Sequence, residues 1–190
     1  NGSNISGATS NSYTTNTSGF YKVLVTSTSG CSEMSLATNV SVIALPVATI
    51  TANGSLTICQ GQSVSLTANA GSGLTYQWKK NNVNISGATG ISYSAANSGI
   101  YRVNVTNSSG CSSVSASKTI AVNSLPAAVI SANGPTTFCR GESVTLNANT
   151  GSGLTYQWSS VYVPISGATN SSYVAIGKSW LRATVTNLNG

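Results

Sequence analysis

Four thiols are the side chains best suited to covalent chemistry in this 190-residue chain: Cys31, Cys59, Cys111 and Cys139. Cys31 and Cys111 lie 80 residues apart, and so do Cys59 and Cys139. A thiol can act as a nucleophile, ligate a metal or form half of a disulfide. The first role needs a neighbouring base and the second needs companion ligands. The chain has no His and no Asp, and its only acids are Glu33 and Glu142. Neither a Ser–His–Asp set, a paired-carboxylate site, a zinc, iron or copper cluster nor a carboxylate-rich calcium loop can be built from that stock. No enzyme activity, cofactor or metal is therefore expected. Disulfide formation remains, and it suits a Ser/Thr-rich chain of extracellular character.

The elements that must position these thiols are strands. In Leu74-Thr75-Tyr76-Gln77-Trp78-Lys79 the apolar members alternate, which predicts a half-buried strand with Tyr76 and Trp78 on the core side. The same words return as Leu154-Thr155-Tyr156-Gln157-Trp158, 80 residues on. An indole recurring at one point of the period predicts a module packed around Trp78, and another around Trp158. Ile5-Ser6-Gly7-Ala8-Thr9 likewise returns at Ile85 and at Ile165, and Pro46 returns at Pro126, with no insertion. The period divides the chain into 1–45, the C-terminal half of a module, 46–125, a complete module, and 126–190, a module lacking its last strand. By that register the protein is expected to continue at both ends.

Within the complete copy the pattern predicts strands over Val47–Ala52, Leu56–Cys59, Ser63–Ala68, Leu74–Lys79, Val83–Ile85, Ile91–Ala95 and Ile100–Thr106. A last strand follows the Asn107–Gly110 turn and runs to about Val122. Seven or so short strands separated by turns predict an all-β, two-sheet sandwich. The joints around Pro46 and Pro126 are short and proline-stiffened, which predicts a semi-rigid rod.

Composition narrows the partners. Charged residues make up only 5% of the chain, whereas Ser and Thr supply 57 positions, so hydroxyls and amides solvate this surface. The formal charge is +6, but no run of cations exceeds Lys79-Lys80. A nucleic-acid face needs clustered Lys and Arg, so none is expected. No apolar run approaches the ~20 residues that span a bilayer, so the chain is not expected to cross a membrane. Asn-x-Ser/Thr patterns, as at Asn84 and Asn107, little exceed what this composition produces by chance.

The middle copy resembles an immunoglobulin-like domain. Gly61-x-Ser63-Val64-x-Leu66 is similar to that family's second strand, Tyr76-x-Trp78 to its third, and Ser98-Gly99-Ile100-Tyr101 to its tyrosine corner. The antibody core cysteines would fall near Ala68 and Val103, and neither is Cys. The displaced pair Cys59 and Cys111, with Ser-Gly-Ala-Thr and Val-Thr-Asn-x-x-Gly-Cys, resembles the repeated modules of large secreted surface proteins of Bacteroidota. In that family such modules often belong to type 9 secretion substrates, including gliding-motility adhesins. The third copy departs at Lys178-Ser179-Trp180-Leu181, where the corner Tyr is lost and Trp180 is expected to pack where Ile100 does.

In an immunoglobulin sandwich Cys59 begins one strand and Cys111 follows the end of a parallel one, about 20 Å away. A disulfide needs Cα atoms within about 7 Å. Pairing between neighbouring modules is therefore favoured, Cys59 with a Cys expected after Gly190 and Cys111 with one upstream of Asn1. Cys59–Cys111 within the module and free thiols are the alternatives.

The resemblance implies tandem immunoglobulin-like repeats of 80-residue period in a cell-surface filament or gliding adhesin, bearing load and spacing an adhesive region from the cell. The alternative is a non-catalytic spacer of a secreted polysaccharide-degrading enzyme. Neighbouring modules are the expected partners, with other filament subunits or surface glycans as further candidates, and the expected location is extracellular, at a bacterial surface.

Overall fold

The computed structural model describes residues 2–177 and 180–188. Asn1, Lys178, Ser179, Asn189 and Gly190, on which the sequence places two copy ends and part of the altered corner, lie outside them. Every regular element among the described residues is a strand.

Residues 19–40 contribute β1 (Gly19–Tyr21), β2 (Leu24–Thr26), β3 (Ser32–Met34) and β4 (Thr38–Val40), with β1 pairing β4 and β2 pairing β3. Their apolar side chains, including Val23, Val25 and Leu36, are exposed, because no second sheet among the described residues covers them.

Residues 50–123 close into two sheets. The first orders β10 (Ser92–Ala95), β7 (Val64–Ala68) and β5 (Ile50–Asn53). The second orders β6 (Thr57–Cys59), β13 (Lys118–Asn123), β11 (Gly99–Thr106), β8 (Thr75–Lys80) and β9 (Val83–Asn84), with β12 (Ser112–Val114) also on β11. Alternation decides what faces inward: Val64, Leu66 and Ala68 from one sheet meet Trp78, Tyr101, Val103 and Val105 from the other. All pairs are antiparallel except β6 with β13, which run parallel in the register Thr57↔Ala121, Ile58↔Val122, Cys59↔Asn123.

The β8–β9 turn is Asn81-Asn82, whose φ values of 50° and 67° fit the left-handed pair of a tight hairpin. The last strand differs from the continuous run the sequence suggests. It breaks after Val114 because the Ser115 side chain replaces a ladder bond: Val103 N–H donates to Ser115 Oγ at 3.0 Å, while Ser115 N–H donates to the Val103 carbonyl at 2.9 Å.

Residues 130–186 form β14 (Ile130–Ala132), β15 (Val144–Ala148), β16 (Thr155–Ser160), β17 (Val163–Pro164), β18 (Ser172–Ala175) and β19 (Leu181–Thr186). They assemble as β14-β15-β18 and β17-β16-β19.

Candidate functional site

The residues singled out as core lie where the two sheets meet. Trp78 is 0% exposed, and its Nε1–H donates to the Gly90 carbonyl at 2.9 Å. Trp158 is equally buried and donates to the Asn170 carbonyl at 2.9 Å. Such a partner offsets the cost of taking the indole N–H out of water. Tyr76 and Tyr156 direct their hydroxyls to the Asn69 and Asn149 carbonyls, at 2.9 and 3.1 Å.

Tyr101 donates to the Asn97 carbonyl at 2.8 Å, closing the turn into β11. Burial raises its phenol pKa above the ordinary value of 10.0, the nearby Tyr93 adds to the shift, and the bond to Asn97 opposes it. The raised folded-state pKa makes a contribution to stability that is complete below about pH 10 and lost as pH rises through the folded pKa. Tyr101→Phe should therefore flatten the fall in denaturation midpoint between pH 9 and pH 11. An identical fall in both proteins would remove Tyr101 as its cause.

One end of this sandwich receives the chain. Asn107, at the tip beyond β11, accepts from Ser109 N–H at 3.1 Å and Cys111 N–H at 3.0 Å through Oδ1. Its Nδ2 donates to the Ala44 carbonyl, 63 residues earlier, at 3.2 Å. Asn187 makes the same bond to the Ser124 carbonyl, also at 3.2 Å. Asn69 secures the following segment, accepting Thr49 N–H at 2.9 Å, as Asn149 accepts Val129 N–H at 2.9 Å.

The opposite end releases the chain. Asn123 ends β13 beside Cys59, and its carbonyl accepts Gln60 N–H at 2.8 Å. The Cys59 turn is closed by Gln62 Oε1, which accepts Cys59 N–H at 3.1 Å. Glu142 Oε2 accepts Cys139 N–H at 2.9 Å in the same way, so one of the chain's two carboxylates is engaged in a turn. Cys59 and Cys111 thus sit at opposite ends of the eight-residue β11. At about 3.3 Å per residue that strand alone keeps them roughly 25 Å apart. No disulfide joins two of the four cysteines, and Cys31 and Cys139 are exposed.

Sequence reasoning missed Asn69, Asn107 and Ser115, whose partners are distant in the chain. It also expected Trp180 to pack where Ile100 does. Trp180 does hold the position of Ile100, on the outer side of the sheet because inward parity in β19 belongs to Leu181, Ala183 and Val185, but it stands 85% exposed where Ile100 is 45% exposed. No group of three or more His, Cys, Asp or Glu able to hold a metal occurs among the described residues. Nor is any helix there long and apolar enough to cross a membrane.

Residues 46–124 match the family model described as "Ig-like domain CHU_C associated". No curated protein sequence matches the chain. Among solved structures it is similar to the fibronectin(III)-like modules of Clostridium thermocellum CbhA, at 11% identity and a TM-score of 0.39, covering 74% of this chain and 86% of that one. It is also similar to the human OSCAR ligand-binding domain, at 14% identity and a TM-score of 0.33, covering 75% and 84%. A third similarity is to the chicken CNTN1 FN1-FN3 domains, at 12% identity and a TM-score of 0.29, covering 88% and 66%. Residues 46–124 are thus an immunoglobulin-like β-sandwich module.

Proposed function

We propose that this chain is a stretch of a bacterial surface filament or gliding adhesin, a type 9 secretion substrate built from tandem 80-residue immunoglobulin-like modules that transmit tension. The observation that supports this best is the parallel pair β6–β13. One strand belongs to the module's N-terminal segment and the other leads to its exit. Pulling the chain ends apart therefore loads the pair in shear, and its hydrogen bonds must break together instead of one after another. Those bonds include Ala121 N–H to the Leu56 carbonyl at 2.9 Å and Gln60 N–H to the Asn123 carbonyl at 2.8 Å. The Asn107 and Asn187 clasps hold the connecting peptide against the next hairpin, which favours a stiff joint.

Single-molecule stretching tests the reading. The complete module should give one abrupt event of about 25 nm, from roughly 3.5 Å per extended residue. Ala121→Pro, which removes a donor from the sheared pair, should lower its peak force. A chain that lengthens without a discrete event would remove the mechanical role.

The thiols extend this proposal. Cys59 lies at the exit and Cys111 at the entrance, so in a head-to-tail array the thiols that face each other belong to neighbouring modules. A disulfide there would bridge the joint in parallel with the peptide linker. Peptide mapping of the surface protein under non-reducing conditions should recover Cys59 bonded to the cysteine that follows the next module's hairpin. Recovery of a Cys59–Cys111 peptide, or of both thiols reduced, would overturn the pairing.

A further inference from the structure

We propose that the corner of the third sandwich formed by Val161-Tyr162 and Trp180–Arg182 is a binding platform for a uronic-acid-containing polysaccharide. The proposal stands beside the filament reading and does not depend on it, since a spacer in a secreted enzyme could carry the same platform.

The argument begins with the hairpin after β16. In the middle sandwich that turn is Asn81-Asn82, two residues that tolerate left-handed backbone, and Asn81 Oδ1 also accepts Ile100 N–H at 2.9 Å. Eighty residues on, Val161 and Tyr162 take the same conformation, with φ values of 48° and 69°. Left-handed backbone is an outlier for a β-branched or bulky residue, and strain of this kind gathers at functional sites. Val161 N–H still donates to the Trp180 carbonyl at 3.0 Å, but a valine cannot return the bond that Asn81 makes. The exchange costs stability twice and places more apolar surface in water.

That surface is assembled into a platform. Tyr162 is 78% and Trp180 85% exposed, and with Val161, Leu181 and Arg182 they line an open depression of ≈ 450 Å³. The Arg182 guanidinium lies 4.8 Å from the Tyr162 ring centroid, which holds the cation in place. The outward direction does not depend on which strand comes next to β19. Ile100 holds the corresponding position in the middle sandwich, where β13 pairs with β11, and it remains 45% exposed.

The chemistry selects the occupant. Exposed aromatic rings offer flat apolar faces to the C–H face of a pyranose, and a fixed guanidinium offers paired donors to a carboxylate. Arg182 is the one cation among the five lining residues, so charge complementarity calls for a single anion per contact. A second copy of this chain is a poor occupant, because it brings only Glu33 and Glu142, and Glu142 is engaged in its own turn. Single-stranded nucleic acid needs a basic groove that follows successive phosphates, and one cation does not form one.

Tryptophan fluorescence provides the readout, since Trp180 is exposed while Trp78 and Trp158 are 0% exposed. Titrating the 190-residue chain with oligogalacturonate should protect Trp180 from acrylamide quenching, with half-saturation at about 0.1–10 mM. Trp180→Ala and Arg182→Gln should each weaken binding about tenfold or more in affinity electrophoresis through polygalacturonate. Tyr162→Asn should weaken binding and raise the denaturation midpoint of the third sandwich, a pairing that a merely structural turn residue would not give. Four results would overturn the proposal: no protection, equal binding of neutral dextran, tighter binding of an oligothymidylate, or concentration-dependent dimerisation lost in Trp180→Ala.

Discussion

Trp78→Ala is expected to leave the middle sandwich unfolded or nearly so. Truncating a buried aromatic typically costs about 3–5 kcal/mol in transfer and cavity terms. A domain of this size has roughly 0.05–0.15 kcal/mol per residue to lose, or about 4–12 kcal/mol over eighty residues. The indole also donates to the Gly90 carbonyl, and its ring stands 5.9 Å from that of Tyr93, which in turn stands 5.8 Å from Tyr101. Removing Trp78 therefore undermines a row of three rings across both sheets. Trp78→Phe separates the terms: it keeps most of the packing but leaves the Gly90 carbonyl without its donor, an expected cost of about 1–3 kcal/mol. Hydrogen exchange along β11 is the appropriate measurement, because it reports the middle sandwich apart from its neighbours. The alanine variant should lose protection at Val103 and Val105, whereas the phenylalanine variant should retain it. Full protection in the alanine variant would mean that the ring is not central to the core.

The strand pattern was legible because it rests on local alternation. Gly99–Thr106 presents inward and outward residues in strict turn, Thr75–Lys80 buries Trp78 within an alternating sequence, and no tertiary knowledge is needed to see either. The long-range hydrogen bonds were not legible. Asn107 reads as an ordinary turn residue and Asn69 carries no signal, and only the fold reveals that they hold segments 63 and 20 residues away. Trp180 is the opposite case, since a signal existed. Parity along Leu181, Ala183 and Val185 already places the indole outside, yet its size suggests a buried position. Hydrophobicity and strand parity disagreed there, and parity decided, because turning one residue inward would turn the rest of the strand outward. The break at Ser115 had no such signal. A serine between apolar residues in a strand resembles any other surface hydroxyl until its partner across the ladder is known.

That serine is the subject of the second large expected effect. Ser115 is buried, and its hydroxyl accepts from Val103 N–H in the interior. Ser115→Ala leaves that amide without an acceptor and out of reach of water, which should cost about 1–3 kcal/mol. The chain contains its own control. Ser35 makes the same pair of bonds with Val23, at 3.0 Å through the hydroxyl and 2.9 Å through the backbone, but both residues are exposed. Water can replace the lost hydroxyl there, so Ser35→Ala should stay within about 0.5 kcal/mol of the parent. The two substitutions share hydrogen-bond geometry and differ in burial. Chemical denaturation of the pair, with hydrogen exchange read at Val103, therefore measures what burial adds to one hydroxyl. Equal and small losses would mean that water reaches the β11–β12 break, and that the break is a site of opening in the same sheet whose β6–β13 pair is expected to resist tension.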